Sequence, residues 1–277
     1  MIVVTGATGN VGRALVRQLV AEGRPVRAVT RDPRRADLPP GAEVTRLDPA
    51  DPGALFTGAS QLFLHVAAVG DRTADLLAAA RSAGVRHVVL LSSGIIKEGA
   101  DETHPIHVMH ATVEQWIRDS GLAWTFLRPN EFAVNARQFA PQIRAGDTVR
   151  GPYAQAASAP IHEADIAAVA LRTLLDDGHD ATVHRLTGPE PVTNAGKTEA
   201  IGKALGRKLT YVEIPPEEAV ATLYPHVPTA VAQALIETQR AYVGVQPEIT
   251  DTVEKITGNR ARTFGDWAVE HRDEFTP

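Results

Sequence analysis

Three glycines spaced three residues apart stand near the start of the chain. Gly6, Gly9 and Gly12 follow the apolar residues 1–4 and precede a segment with helical spacing. Glycines in this pattern let the backbone turn sharply, approach a pyrophosphate closely and pack the next helix against the strand. That helix, which we expect to begin near Asn10, points its free amide groups and positive dipole end at the same place. The pattern predicts the binding of a nucleotide phosphate.

The surroundings of the glycines distinguish this motif from an ordinary turn. The helical segment carries Val11, Leu15 and Leu19 on one face and ends at Gly23, and a second strand follows at 25–30. A strand, a glycine turn, a helix and a second strand in this order form a dinucleotide-binding βαβ unit. We therefore predict that the chain binds a dinucleotide.

The alternation of strand and helix patterns continues along the chain, as is typical of a parallel sheet covered on both faces. The predicted fold class is α/β: a doubly wound parallel sheet (Rossmann) with a second, smaller α+β lobe. The dinucleotide-binding domain is predicted at 1–130 plus about 158–187, and the substrate-binding lobe at 131–157 plus 188–277. The strands of the sheet are expected at 1–4, 25–30, 43–47, 61–67, 86–92, 123–128 and 183–186.

Composition narrows the possible functions. The 277 residues are 44% hydrophobic and carry a formal net charge of −5 with scattered basic residues, which argues against nucleic-acid binding. The absence of cysteine excludes disulfides and thiolate chemistry, so redox activity must come from a cofactor. No apolar run approaches membrane-spanning length. We expect a cytoplasmic protein with a small-molecule substrate and no membrane partner, either a monomer or a homodimer.

Several segments together carry a family resemblance. They are TGATGNVG at 5–12, TRDP at 30–33, GVRHVVLLSS at 84–93, SGLAWTFLRP at 120–129, DIA at 165–167, LTGPE at 186–190 and WAVEH at 267–271. As a set they resemble the NmrA-like branch of atypical short-chain dehydrogenases/reductases. That branch includes quinone oxidoreductases, triphenylmethane reductase and NADPH-sensing regulators, so the resemblance implies a Rossmann fold and a nicotinamide cofactor.

Arg31 bears on the choice of cofactor because it follows the second strand, where a doubly wound fold meets the adenosine ribose. A carboxylate there would accept hydrogen bonds from the diol of NAD, whereas an arginine fork suits the 2′-phosphate of NADP. We therefore predict NADPH. Asp32 would serve the diol if the turn were shifted, and Arg34 and Arg35 either add positive charge or are simply solvated.

The resemblance implies further cofactor contacts. Within the glycine turn it adds Thr8, Asn10 and Val11 to the glycines. Beyond the turn, it implies Leu47 and Asp48 for the adenine pocket, Val66 and Ala67 under the ribose, and Ser92 and Pro129 beside the nicotinamide. Each of these is equally acceptable as a strand-end or turn residue.

Ordinary short-chain dehydrogenases use a tyrosine followed four residues later by a lysine, which lowers the pKa of the phenol. The four tyrosines of this chain are followed at that distance by Ala157, Pro215, Pro228 and Gln246. Sugar epimerase and ordinary alcohol dehydrogenase activities are therefore not expected.

The resemblance points instead to His110, because quinone-oxidoreductase-like members carry a histidine in this place. An imidazole with a pKa near neutrality would donate a proton to a carbonyl or quinone oxygen, or hydrogen-bond the nicotinamide amide or the substrate. Glu114, four residues later, would hold the imidazolium or merely stabilise the helix. His104 and His107 invite a metal site with His110, but Pro105 interrupts the spacing and the family calls for no metal, so none is predicted.

Phe132 and Tyr153 are the candidate substrate contacts, with Phe139 and Trp116 as further apolar walls, although all four aromatics suit a core equally well. The function predicted from these residues is an NADPH-dependent reductase that transfers hydride to a small conjugated acceptor such as a quinone or enone. The alternative is a non-catalytic NADP(H) sensor that acts through protein partners.

Overall fold

The computed structural model describes residues 1–48 and 50–276, which form two compact units. The first unit comprises Met1–Asn130, Glu163–Leu186 and Thr252–Asn259. Its sheet has seven strands: β1 Ile2–Val4, β2 Val26–Val29, β3 Ala42–Thr45, β4 Gln61–His65, β5 His87–Leu91, β6 Ala123–Pro129 and β9 Thr182–Leu186. The sheet is parallel throughout and has the order β3-β2-β1-β4-β5-β6-β9, which confirms the predicted doubly wound fold.

The helices of the first unit bury apolar faces, and for this reason apolar residues recur at helical spacing in the sequence. In the first of them, α1, the residues Val11, Leu15 and Leu19 are buried, as their spacing predicts. The helices are α1 Asn10–Ala21, α2 Val66–Val69, α3 Thr73–Ser82, α4 Pro105–Asp119, α6 Glu163–Leu175 and α10 Thr252–Thr257, with short 3₁₀ segments at Pro33–Arg35, Ala54–Phe56 and Gly70–Arg72. None of the helices in the described ranges is long and apolar enough to cross a membrane.

The second unit comprises Glu131–His162, Thr187–Asp251 and Arg260–Pro277. Two small sheets form here: β7 pairs with β11 in parallel, and β8 pairs with β10 antiparallel. Their bounds are β7 Thr148–Gly151, β8 Ala157–Ser158, β10 Val192–Thr193 and β11 Thr210–Glu213. The helices are α5 Ala140–Ala145, α7 Asn194–Leu205, α8 Pro216–Leu223, α9 Thr229–Arg240 and α11 Phe264–Glu270, with 3₁₀ segments at Ala133–Phe139 and Arg272–Phe275. Trp267, Phe264, Phe139 and Phe275 are fully buried in its core.

Two local differences from the sequence-based expectation bear on the site. The fourth strand ends at His65, so Val66 and Ala67 begin the short helix α2 instead of extending the strand. In addition, α10 packs on α6 in the first unit, although it falls within the segment predicted for the smaller lobe. A six-residue helix is too short to show a helical period in the sequence.

Candidate active site

The glycine turn joins β1 to α1, and backbone atoms of its glycines make the contacts that close it. Gly6 has a φ of +63°, and its carbonyl accepts a hydrogen bond of 2.9 Å from the amide of Gly9. A Cβ at Gly12 would lie 2.2 Å from that same carbonyl oxygen, so no side chain fits there without moving the turn. Gly9 is the N-cap residue of α1 and has no side chain to cap the first amides, which leaves this helix end suited to an anionic ligand.

The loop after β2 lies against this turn. The hydroxyls of Thr8 and Thr30 are 3.3 Å apart, and Arg13 donates to the carbonyl of Thr8 and to the carboxylate of Asp37. Arg13 thus ties the start of α1 to the segment that follows β2.

The side chains of Arg31 and Asp32 differ in the contacts that they make. The Arg31 side chain is exposed and makes no hydrogen bond or ion pair with any other described residue. Asp32, by contrast, caps the 3₁₀ segment Pro33–Arg35: its Oδ1 accepts a hydrogen bond of 3.1 Å from the amide of Arg34. The arginine therefore remains available to an anion, while the carboxylate is committed to the local turn.

A buried polar cluster lies beside the carboxyl ends of β5 and β6; we call Ser92, Glu114, Arg118 and Arg128 the Glu114 cluster. Glu114 is 1% exposed and receives two hydrogen bonds from Arg128, at 2.6 and 2.9 Å, and one from Arg118 at 3.1 Å. The Ser92 hydroxyl donates to its Oε1 at 2.6 Å. Burial alone would raise the pKa of Glu114, but Arg128, Ser92 and Arg118 hold it below its usual value, so the carboxylate is ionised.

His110 lies one turn before Glu114 on α4, but no hydrogen bond between these two side chains occurs in the described part of the chain. Its Nδ1 is buried without a partner there. Burial lowers the pKa of His110 to about 4; the charge of Glu114 opposes this shift, and that of His65 adds to it. The expectation of an imidazole that titrates near neutrality is therefore wrong, because desolvation outweighs the attraction of a carboxylate already satisfied by two arginines.

His65 is a residue that the sequence reasoning missed. It ends β4, its amide donates to Thr5 Oγ1 at 2.8 Å, and its side chain would lie 3.1 Å from a Cβ at Gly6. Burial lowers its pKa, and its Nδ1 has no hydrogen-bond partner within the described ranges. A histidine at the end of an otherwise apolar strand, at the edge where ligands bind, was the signal that could have found it.

The other predicted cofactor residues all belong to the first unit. Leu47 packs partly buried against the core, and the exposed Asp48 accepts a hydrogen bond of 2.9 Å from the amide of Ala50. Val66 is buried and Ala67 exposed in α2. Pro129 ends β6, and its carbonyl accepts a hydrogen bond of 2.8 Å from the amide of Gly94.

The aromatic candidates divide between the units. Phe132 and Tyr153 are half-buried in the second unit and pack against its core, and Tyr153 has a φ of +50°. Phe139 is a core residue that contacts Tyr211 edge to face. Trp116 lies on α4 in the first unit and is 37% exposed. Trp116 therefore belongs to the dinucleotide-binding unit, unlike the other three aromatic candidates.

Comparison with known proteins identifies the family. The model of the NmrA-like family matches residues 1–267. The chain belongs to the NmrA-like family. Among named proteins, this NmrA-like chain is 37% identical to (4-alkanoyl-5-oxo-2,5-dihydrofuran-3-yl)methyl phosphate reductase of Streptomyces griseus, with all of both chains covered. It is 33% identical to the NAD(P)H azoreductase of Xenophilus azovorans, with 99% of each chain covered.

Solved structures agree on the fold. The NmrA-like chain superposes on the NADPH-dependent quinone oxidoreductase of Escherichia coli, complexed with NADPH, with a TM-score of 0.80 at 23% identity. The match covers 98% of this chain and 99% of that one. The named relatives are reductases, which agrees with an oxidoreductase reading of the site.

Proposed function

We propose that this NmrA-like protein is an NADPH-dependent reductase of electron-poor conjugated acceptors. The observation that carries the proposal is the glycine turn, whose closed backbone geometry leaves no room for a side chain at Gly12. Such a turn at a helix N-terminus is built for a pyrophosphate. The relatives support a reductase: one is named for NAD(P)H, and another for reduction of a dihydrofuranone phosphate.

Arg31 favours NADPH over NADH. Its guanidinium is exposed and unpaired among the described residues, at the strand end where the ribose of the adenosine binds in this fold. A guanidinium fork matches the geometry of a phosphate group. Asp32 does not compete for this place, because its carboxylate caps a 3₁₀ segment.

The acceptor class follows from the absence of a strong acid in the proposed site. When bound, NADPH supplies a hydride. A quinone, an enone or an acyl dihydrofuranone takes that hydride at carbon and moves the electron pair onto a carbonyl oxygen, so the anion is already delocalised and water can supply the proton. His110, with a pKa of about 4, is neutral at pH 7 and would hydrogen-bond that oxygen instead of transferring a proton to it.

Ser92 has a positioning role in this proposal. Because its hydroxyl proton is donated to Glu114, the lone pairs of Oγ remain as hydrogen-bond acceptors. That arrangement suits an amide N–H of the nicotinamide carboxamide. The ionised Glu114 fixes the direction of the hydroxyl, and Arg128 fixes Glu114.

The test follows nicotinamide absorbance with purified protein, NADPH and a panel of acceptors. The panel contains a quinone, a linear enone, an azo dye and an acyl dihydrofuranone with and without its phosphate. We expect turnover with at least one conjugated acceptor, and a kcat lowered about tenfold or more in His110→Ala because the hydrogen bond from the imidazole to the developing oxyanion is lost. His107→Ala, on the same helix, is the matched control and should retain the wild-type rate.

The alternative, a non-catalytic NADP(H) sensor, gives a different result. A sensor would bind NADPH tightly and oxidise it with none of the acceptors. That outcome would reject the reductase proposal while leaving the cofactor assignment intact. Equal rates in His110→Ala and the wild type would show that His110 takes no part in the reaction.

A further inference from the structure

Three side chains of metal-ligand type meet in the second unit. They are His162, Glu270 and His271, and each offers one ligand atom within 4.8 Å of the other two. His162 Nε2 lies 3.2 Å from Glu270 Oε2, and the two imidazole centroids are 5.9 Å apart. His162 is 1% exposed, whereas Glu270 is 59% exposed at its side chain, so the cluster has one buried side and one side open to solvent.

The two histidines are held in place by neighbours within the same unit. The segment before His162 is fixed by hydrogen bonds of 2.8 Å from the amide of Ile161 to Glu131 and from the amide of Ala133 to Ile161. The ring of His271 stacks on the buried Trp267 with centroids 4.7 Å apart. Little rotamer entropy is therefore left to lose when these imidazoles take up a ligand.

A carboxylate behind His271 sets the orientation of its ring. Glu274 Oε1 lies 3.0 Å from His271 Nδ1, and Arg137 binds the same carboxylate at 2.6 Å. A histidine that uses Nδ1 in this way presents Nε2 to an ion, as is general for metal-ligating histidines.

We propose that His162, Glu270 and His271 bind a divalent transition-metal ion of the zinc class, with water as the fourth ligand. Two imidazoles and one carboxylate form a common zinc ligand set. Tetrahedral bonds of about 2.0–2.1 Å separate neighbouring ligand atoms by roughly 3.4 Å, close to the distance found between His162 and Glu270. The site is separate from the histidines at 104, 107 and 110, for which the sequence argues against a metal.

The ion would join the residue before α6 to the end of α11, two points 108 residues apart in the sequence. A ligand that binds only the folded state raises its stability. Zinc should therefore raise the Tm of this protein, independently of NADPH and of any acceptor. Failure of this inference would leave the reductase proposal untouched, and the reverse also holds.

The test is a competition titration of chelator-treated full-length protein with Zn²⁺ against a chromophoric chelator, repeated with Co²⁺ and read from its visible spectrum. We expect one tight site in the wild type, a loss of affinity of about tenfold or more in His162→Ala and in Glu270→Gln, and no change in His226→Ala, an exposed histidine of the same unit. Glu270→Gln alters an exposed side chain, so it keeps the test decisive if His162→Ala fails to fold.

The zinc-induced rise in Tm is the second readout, expected in the wild type and in His226→Ala but not in Glu270→Gln. Stoichiometric binding with a tetrahedral cobalt spectrum that disappears in Glu270→Gln would support the site. Wild-type affinity in both ligand variants, or no binding by the wild type, would overturn it.

Discussion

The glycine turn and the Glu114 cluster, both in the first unit, are stabilised by different parts of the chain: the turn by backbone atoms and the cluster by side chains. The turn is built from backbone within seven consecutive residues, and its key contact is a carbonyl that excludes a Cβ. The cluster is built from four side chains, which come from the residue after β5, from α4 and from β6 and are held together by a buried charge. Local backbone geometry can be predicted from a sequence, whereas the partners of a buried charge depend on the completed fold.

Substitution of the buried Glu114 should lower the stability of the protein more than substitution of a carboxylate in an exposed ion pair. Glu114→Gln removes the carboxylate that neutralises Arg128 and Arg118, and we expect a loss of about 3–5 kcal/mol in the free energy of unfolding. Glu237→Gln breaks an exposed pair with Arg240 and should leave the free energy of unfolding nearly unchanged. Urea denaturation of the two variants and the wild type measures both values. Equal losses would show that burial adds nothing to the pair at Glu114.

Substitution of a glycine in the turn should weaken NADPH binding more than substitution of a glycine elsewhere. Gly12→Ala places a Cβ 2.2 Å from the Gly6 carbonyl, so the turn must move away from the pyrophosphate, and we expect about hundredfold weaker NADPH binding. Gly146→Ala is the control, because a Cβ there meets nothing within 4 Å and its φ of 176° is extended backbone that other residues also adopt. Fluorescence titration with NADPH measures both. Wild-type affinity for NADPH in Gly12→Ala would show that the turn does not contribute to cofactor binding.

The same contrast explains how much could be predicted. The seven strands and the doubly wound parallel sheet were predicted from the alternation of strand and helix patterns, and the structure confirms them. The β7–β11 pair was not predicted, because it joins segments about 60 residues apart and its strands have four residues each. The end of β4 at His65 was misplaced by two residues, since Val66 and Ala67 suit a strand and a helix equally well.

For the candidate site, the sequence could place residues on one helix, but it could not show the contacts and burial that set their protonation. The sequence singled out His110 and Glu114 on one helix, but it could not show that Arg128, from a neighbouring strand, would take the carboxylate. The pKa of His110 depends on burial by other elements and was therefore misjudged. His65 was overlooked because its importance comes from its position beside Gly6.

In the proposed cofactor site Arg31 would bind the 2′-phosphate, so its removal should affect one cofactor only. In Arg31→Ala we expect NADPH binding to weaken about tenfold to hundredfold, because a charge-assisted hydrogen-bond pair is lost, while NADH binding stays within about twofold. Arg35→Ala, an exposed neighbour, should change neither. Dissociation constants for both cofactors measure this, and equal weakening of the two would refute the 2′-phosphate assignment.

The last prediction concerns pH. The unfolded chain protonates His110 near pH 6.5 and the folded chain only near 4, so the unfolded state binds more protons between these values and stability falls as the pH is lowered. His110→Gln should abolish about 3 kcal/mol of the loss in the free energy of unfolding between pH 7 and 4. Urea denaturation across this range measures the difference. A loss in His110→Gln as steep as in the wild type would show that His110 is not buried neutral.

Isothermal titration calorimetry of the wild-type protein with NADPH tests the central claim most directly, namely that the glycine turn binds a phosphorylated nicotinamide cofactor. We expect one site per chain, a Kd on the order of micromolar and weaker binding of NADH. An absence of heat with NADPH, NADP⁺, NADH and NAD⁺ would contradict the claim.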